Sequence, residues 1–156
     1  MLDRADALLK QGEHQAAAQV LEEITTRFPE VAEAWCKLGE LVLGRLRDPE
    51  GSLEFFRKAI ECDASFAAAY LAYAEALFRL ERYAEVNALL NQVLAMKGVP
   101  KDQAIFKSGI LLESQGRYQE AVEAYQKSIL SSYSNDAIME SEKGIERCHI
   151  KKKYSV

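Results

Sequence analysis

The chain has 156 residues, of which 49% are apolar and 28% are charged. These proportions are typical of a folded domain with a buried core and exclude a disordered chain. Three prolines and eight glycines are few for a protein of many short strands and turns, which weakens any all-β interpretation. The net charge of −4 makes nucleic acid an unfavourable partner.

The cysteines, the apolar runs and the first residues indicate the cellular compartment of the protein. Cys36, Cys62 and Cys148 are an odd number and lie far apart, which favours a reducing environment over a disulfide framework. No apolar run approaches the roughly 20 residues of a membrane span. Residues 1–14 carry acids where a secretory signal has a basic start and an apolar core. We predict a cytoplasmic protein without membrane contact. The alternative is a periplasmic or secreted protein whose signal has been removed.

In chain order, polar breaks separate segments whose apolar residues recur at spacings of three and four. The breaks lie at 11–13, 28–30, 46–51, 63–65, 81–83, 97–101, 115–117 and 131–136. The segment 32–44 shows the helical spacing clearly, and 67–80 repeats it. Each segment is about 11–15 residues long, a common helix length. The sequence therefore predicts a series of helix-turn-helix pairs.

Two independent sets of residues repeat along the chain with one period. Small residues in the first helix of each pair are 34 or 35 positions apart, as are the small or short residues that follow each turn. The first set is Ala5, Gly39, Ala74, Gly109 and Gly144, and the second is Ala17, Ser52, Val86 and Ala121. Bulky residues follow the second set at Leu21, Phe56, Leu90 and Tyr125. We expect the small residues to let helices approach closely and the bulky ones to fill the space between units.

These residues resemble the tetratricopeptide repeat family, whose signature is a 34-residue helix-turn-helix. The clearest matches are Ala34-Trp35-Cys36-Lys37-Leu38-Gly39 followed by Phe56 and Ala59, and the turn Gly116-Arg117-Tyr118. The resemblance implies an all-α, right-handed α-solenoid superhelix of antiparallel helix pairs. We predict a single repeat domain over 1–156, with units at about 1–31, 32–66, 67–101 and 102–136 and a capping helix at 137–153. One extra residue is expected in the turn 47–51.

Nothing in the sequence indicates catalysis. No Cys-x-x-Cys pair, His-x-x-x-His pair or glycine-rich phosphate loop is present. His14 lies in a turn where other units carry Tyr83 and Tyr118, so we expect it to pack. His149 and Cys148 are adjacent on a helix and diverge by about 100°, which does not make a metal clamp. We predict no enzymatic activity, no metal and no cofactor.

In the resembled family, the first helix of each unit lines a concave groove that binds a peptide or a partner helix. Matching each first helix to its small packing residue gives the groove candidates Asp6, Cys36, Glu40, Leu71, Glu75, Phe78, Arg79, Phe106, Lys107, Ile110 and Ile145. Asp6, Glu40 and Glu75 are expected to form a ladder of acids for basic groups. Leu71, Phe78 and Phe106 belong to an apolar stretch. Cys36 and Glu40 also stand where the chaperone-tail binders of the family hold a carboxylate, which disfavours that ligand.

We interpret the chain as a scaffold or adaptor that binds a protein or peptide partner. One alternative is a homo-oligomeric assembly module that closes the apolar groove against another copy, and another is that the final helix buries this patch. A nucleic-acid binder using Lys143, Arg147 and the lysines at 151–153 is disfavoured by the acidic groove. We expect those charges to form the solvated outer side of the capping helix.

Overall fold

The computed structural model describes residues 1–155, which fall into two compact units, residues 1–82 and residues 83–155. Within residues 1–155 the regular elements are all helical, which confirms the predicted all-α class. The single domain over 1–156 stays a prediction, and its last residue, Val156, lies outside the described residues. None of the helices in residues 1–155 combines the length and apolar character that a membrane crossing requires.

The first unit is a stack of helices in which each helix packs on the next. Its elements are α1 (Leu2–Gln11), α2 (His14–Arg27), α3 (Ala32–Leu41), a π-helical turn (Val42–Leu46), α4 (Pro49–Cys62) and α5 (Ala67–Arg79). Packing joins α1 to α2, α2 to α3, α3 to α4 and α4 to α5, and α3 also contacts α5. The two helices α1 and α3 therefore begin successive pairs, as the repeat predicts.

The core of the first unit follows the predicted alternation of small and bulky residues. Ala5, Val20, Leu21, Ile24, Ala34 and Leu38 form a buried cluster. A Cβ atom added at Gly39 would lie 2.6 Å from the ring of Phe56, which is fully buried. Only a residue without a side chain fits at this contact. The interpretation of Gly39 as a packing glycine is confirmed.

The second unit repeats the arrangement and ends in a longer helix. Its elements are α6 (Tyr83–Ala95), α7 (Asp102–Ser114), α8 (Tyr118–Ser131) and α9 (Asn135–Tyr154). The packed pairs are α6 with α7, α7 with α8, α8 with α9 and α7 with α9. Helix α9 corresponds to the predicted capping helix and extends it slightly at both ends. The Ser134 hydroxyl caps it by accepting a hydrogen bond from the backbone N–H of Ala137.

One bulky ring organises the second unit. Tyr125 is fully buried between two helices that each offer a glycine. A Cβ atom at Gly109 would lie 2.7 Å from the Tyr125 ring, and one at Gly144 would lie 2.6 Å from it. The two glycines therefore allow α7 and α9 to close on opposite sides of one side chain on α8. Both are packing glycines, as predicted.

The extra residue of the second pair is placed earlier than predicted. The sequence predicts a helix over 32–44 and an insertion in the turn 47–51. Instead, α3 ends at Leu41 and the chain continues as the π-helical turn Val42–Leu46. A π-helical turn takes one more residue than an α-helical turn. The insertion is thus absorbed at the end of the helix, and the predicted position is wrong by about one turn.

Trp35 is the single tryptophan and is fixed by three contacts in the first unit. Its indole Nε1–H donates to the carbonyl oxygen of Pro29 at 2.8 Å. The Nζ atom of Lys58 lies 4.5 Å from the indole centroid, and the Phe55 ring stacks at 6.3 Å. The indole therefore ties the loop before α3 to a face of α4.

Candidate ligand groove

The three acids of the predicted ladder differ in their surroundings. Asp6 on α1 forms an ion pair with Lys37 on α3, with 2.7 Å between Oδ1 and Nζ. Glu75 on α5 accepts a hydrogen bond from Arg79 Nε at 3.2 Å. Glu40 on α3 makes no ion pair or hydrogen bond through its carboxylate within residues 1–155. The ladder is therefore uneven, because two of its acids already have cationic partners in the chain.

Glu40 combines an exposed side chain with a shifted titration. Desolvation by surrounding protein raises the pKa of the Glu40 carboxyl; Lys37 opposes this rise and Glu33 adds to it. An exposed carboxylate loses solvation in this way when it stands in a concave surface, where water reaches it from one side. The Glu40 carboxyl therefore stands partly among protein atoms, at the wall of a surface cleft.

That cleft has a volume of about 360 Å³ and lies between the first and second helix pairs. It is lined by Leu9, His14, Lys37, Glu40, Leu41, Gly44 and Arg45. Leu9 and Leu41 give it apolar walls, and the π-helical turn carrying Arg45 forms one rim. Glu40 is a predicted residue of the ligand surface, whereas the cleft itself has no signal in the sequence.

His14 is the unexpected member of the cleft wall. Both ring nitrogens are shielded from solvent and have no hydrogen-bond partner within residues 1–155. Buried polar atoms without a hydrogen-bond partner are rare in folded proteins. The prediction that His14 packs in the turn is compatible with its half-buried ring, but packing alone leaves the hydrogen-bonding capacity of the ring unused.

The four remaining candidates of the first unit differ in their burial. Cys36 is only 3% exposed and lies in the core, so the structure removes it from the ligand-facing surface. Burial, assisted by Glu40, raises the pKa of its thiol to about 12. Arg79 donates from Nη1 to the carbonyl oxygen of Leu43 at 3.2 Å and so links α5 to the π-helical turn. Leu71 and Phe78 are half-buried on α5.

In the second unit, the apolar candidates lie at the margin of the core. Phe106, Ile110 and Ile145 are half-buried and pack against a cluster formed by Ala121, Val122, Tyr125 and Cys148. The ring centroids of Phe106 and Tyr125 are 5.6 Å apart. Lys107, beside Phe106, is also half-buried. These side chains are anchored by the core and keep part of their apolar surface in contact with solvent.

A buried carboxylate in this unit was not predicted from the sequence. Glu113 on α7 is 6% exposed and accepts a hydrogen bond from the Tyr125 hydroxyl at 2.8 Å. Arg147 and Lys151 of α9 reach the same carboxylate at 3.0 and 2.9 Å. Arg147 and Lys151 are 46% and 50% exposed, as expected for the outer side of α9, and their head groups also bind this carboxylate. The available signal was the register, which puts an acid at a position held elsewhere by Leu9, Leu43, Phe78 and Cys148.

The cluster around Glu113 shifts the titration of both its acids. Burial by itself would raise the pKa of Glu113, but hydrogen bonds from Arg147, Lys151 and Tyr125 outweigh it and lower that pKa to about 2. Burial and the adjacent carboxylate raise the pKa of Tyr125. The carboxylate therefore stays ionised and the phenol stays protonated at neutral pH.

Two parts of the sequence match models of a known protein family, and the family agrees with the helical repeats described above. Two family models described as tetratricopeptide repeat match residues 2–65 and 103–133. The chain belongs to the tetratricopeptide repeat family. No protein of curated function matches the sequence.

Solved structures extend the likeness over the rest of this tetratricopeptide repeat chain. TTC0263, a thermophilic repeat protein of Thermus thermophilus, matches with a TM-score of 0.78 at 20% identity. The aligned region covers 90% of this chain and 77% of the TTC0263 chain. MamA has a TM-score of 0.69 at 21% identity, with 99% and 93% covered. YrrB, described as having an unusual peptide-binding site, has a TM-score of 0.69 at 21% identity, with 86% and 67% covered. At these identities the likeness establishes the α-solenoid fold and leaves the ligand to be argued from this chain.

Proposed function

We propose that this chain is a non-catalytic scaffold or adaptor that binds an extended peptide or a partner helix on the exposed faces of its first helices. The observation that carries the proposal is the open cleft around Glu40, an acid that has no ion-pair partner within residues 1–155. The peptide-binding site named for YrrB, a protein of the same fold, supports the ligand class. The three unpaired cysteines support a cytoplasmic location.

The apolar candidates supply the second part of the interaction. Phe106 and Ile110 in the second unit, and Leu71 and Phe78 in the first, are half-buried. Fully burying a large apolar side chain contributes about 1.5–3 kcal/mol before ordering costs. Two or three such contacts give an affinity in the micromolar range, about −8 kcal/mol.

The proposal is tested with peptides selected from a random display library against the full chain. Phe106→Ala should weaken binding of the selected peptides about tenfold, because it deletes a half-buried ring at the proposed surface. Leu130→Ala is the matched control, since Leu130 is 87% exposed on α8 and outside the proposed surface. Circular dichroism must show both variants folded. If Phe106→Ala unfolds the chain, Phe106 belongs to the core and the surface assignment fails.

A homo-oligomeric assembly module is the second candidate. Phe106, Ile110 and Ile145 are half-buried beside the core of the second unit, and an apolar surface of this kind is where a second copy of the chain would pack. Light scattering at two concentrations separates the two functions. A mass that rises with concentration and falls to the monomer value in Phe106→Ala would favour assembly through the apolar surface.

A further inference from the structure

The acid that follows the packing residue is paired with a cation of the next first helix on α1, but not on α3. Asp6 stands one residue after the packing residue of α1, and Lys37 stands two residues before the packing residue of α3. The two form an ion pair at 2.7 Å, so the acid of one first helix meets the cation of the next. Lys37 also lies 3.3 Å from Glu33 on its own helix.

The next first helix, α5, has no cation at the position that corresponds to Lys37. Gly39 of α3 corresponds to Ala74 of α5, so the position equivalent to Lys37 is Ala72. Helices α3 and α5 contact each other within the first unit, as this pairing would require. Glu40 therefore faces an uncharged residue at the position where Asp6 finds the cation Lys37.

The cleft around Glu40 has the features of a receptor for one long side chain. Its volume of about 360 Å³ is at the lower end of the range of ligand pockets, roughly 300–1,000 Å³. Leu9 and Leu41 offer apolar surface for an aliphatic stem. The ring nitrogens of His14 hold unused hydrogen-bonding capacity in the wall.

The charges in and beside the cleft indicate which head group that side chain carries. The charged residues that line the cleft, Lys37, Glu40 and Arg45, sum to +1, and Asp6 and Glu33, the two acids that hold Lys37, bring the total to −1. Arg45 is exposed at the rim and forms no ion pair within residues 1–155. Lys37 is already held by two acids, which leaves Glu40 as the carboxylate without a counter-ion among these five.

We propose that Glu40 anchors one basic side chain of the partner peptide, a lysine or an arginine, whose stem lies on Leu9 and Leu41. The inference rests on the proposed function and specifies its ligand. The partner's cation pairs with the Glu40 carboxylate, for which the repeat register offers no cation at position 72. Asp6 and Glu75 are not anchors, because each already has a cation of the chain itself.

The test uses three small probes and reads NMR chemical shifts of the full chain. N-acetyl-arginine amide and N-acetyl-lysine amide carry the cation, and N-acetyl-citrulline amide is the uncharged isostere of the first. The charged probes should shift the side-chain carboxyl carbon of Glu40 and bind about threefold to tenfold tighter than the citrulline probe, the range for a partly exposed ion pair. A tighter arginine than lysine probe would identify guanidinium as the head group.

Two variants place the effect at this cleft. Glu40→Gln should abolish the preference for charged probes. Ala72→Lys should supply the missing cation from within and weaken the charged probes by the same factor. Ala68→Lys is the matched control, because Ala68 is an exposed residue one turn earlier on α5, and it should leave binding unchanged. Circular dichroism confirms that each variant is folded.

The proposal is overturned if the citrulline probe binds as well as the arginine probe, if no probe shifts Glu40, or if Glu40→Gln keeps the charge preference. Such a result leaves the scaffold function intact when selected peptides still depend on Phe106. Conversely, probes that bind at Glu40 together with peptides that ignore Phe106 would refute the proposed peptide surface and keep the cation site.

Discussion

Glu113 is the residue on which three helices of the second unit converge. Its carboxylate on α7 receives a hydrogen bond from Tyr125 on α8 and ion pairs from Arg147 and Lys151 on α9. A buried carboxylate is costly to leave without partners. Each of these side chains therefore matters to the position of the others, and α9 is fixed by charge as well as by the packing of Gly144.

Replacing Glu113 should expose this dependence through pH. Since the pKa of Glu113 is about 2 in the folded chain and near 4.5 when unfolded, its ionisation stabilises the fold above pH 4.5. That stability is lost as the pH falls towards 2. Glu113→Gln should lower the free energy of unfolding by about 2–3 kcal/mol at pH 7 and by much less at pH 3.

Urea denaturation of both proteins at the two pH values measures this difference. Glu120→Gln is the control, because it removes only an exposed ion pair with Arg117 and should change the stability little. A gap between wild type and Glu113→Gln that stays the same at both pH values would show that the effect is not ionic.

At the scale of the element, the turn inside each helix pair uses one residue in the left-handed region. Gly12 and Gly116 hold it with φ of 79° and 74°. Arg47 and Glu81 hold the corresponding places with φ of 52° and 58°. A side chain makes this conformation unfavourable by roughly 1–2 kcal/mol. Two of the four turns are therefore strained where glycine would relieve them.

Arg47→Gly should stabilise the first unit. The variant removes the steric cost at φ 52° and adds backbone freedom to the unfolded chain, so the net gain is about 0.5–1 kcal/mol. Thermal and urea unfolding would measure it. The reciprocal variant Gly116→Ala should destabilise by about 1 kcal/mol. A loss of stability in Arg47→Gly would mean that the Arg47 side chain contributes more than its backbone costs.

The packing positions could be predicted from the sequence because they follow the repeat period. The ion pairs could not, because they depend on the conformations of long side chains. Gly109 and Gly144 were recognisable because small residues recur every 34 or 35 positions, opposite bulky ones. The ion pairs of Glu113 join residues 34 and 38 positions apart, and their formation depends on rotamers that no period encodes. Cys36 shares the spacing of surface residues, but the packing around α3 buries it. The π-helical turn continues directly from α3. The helical spacing of apolar residues therefore could not show where the extra residue lies.

Across the whole molecule, stability is divided between two units that each have a core. In repeat proteins, stability is the sum of units and their neighbour contacts. Each unit here also has a buried thiol, Cys36 in the first and Cys148 in the second, while Cys62 is exposed. The thiols therefore report the opening of the two units separately.

Gly109→Ala should open the second unit selectively. The added Cβ would meet the Tyr125 ring at 2.7 Å, an overpacking that costs about 1–3 kcal/mol. Labelling of Cys148 by a thiol reagent should accelerate about tenfold, with a smaller change at Cys36. Gly44→Ala is the control, because its Cβ would meet nothing within 4 Å. Equal acceleration at both cysteines would show that the two units open together.

The fixed indole of Trp35 gives the protein an intrinsic optical label in one unit only. Its emission depends on the surroundings of the ring, which include the Pro29 carbonyl and the Lys58 ammonium, and Lys58 leaves the indole when α3 and α4 separate. Tryptophan emission therefore follows the unit that contains the Glu40 cleft, without any attached dye. The second unit has no tryptophan in its sequence, so one introduced there would give it a signal of its own.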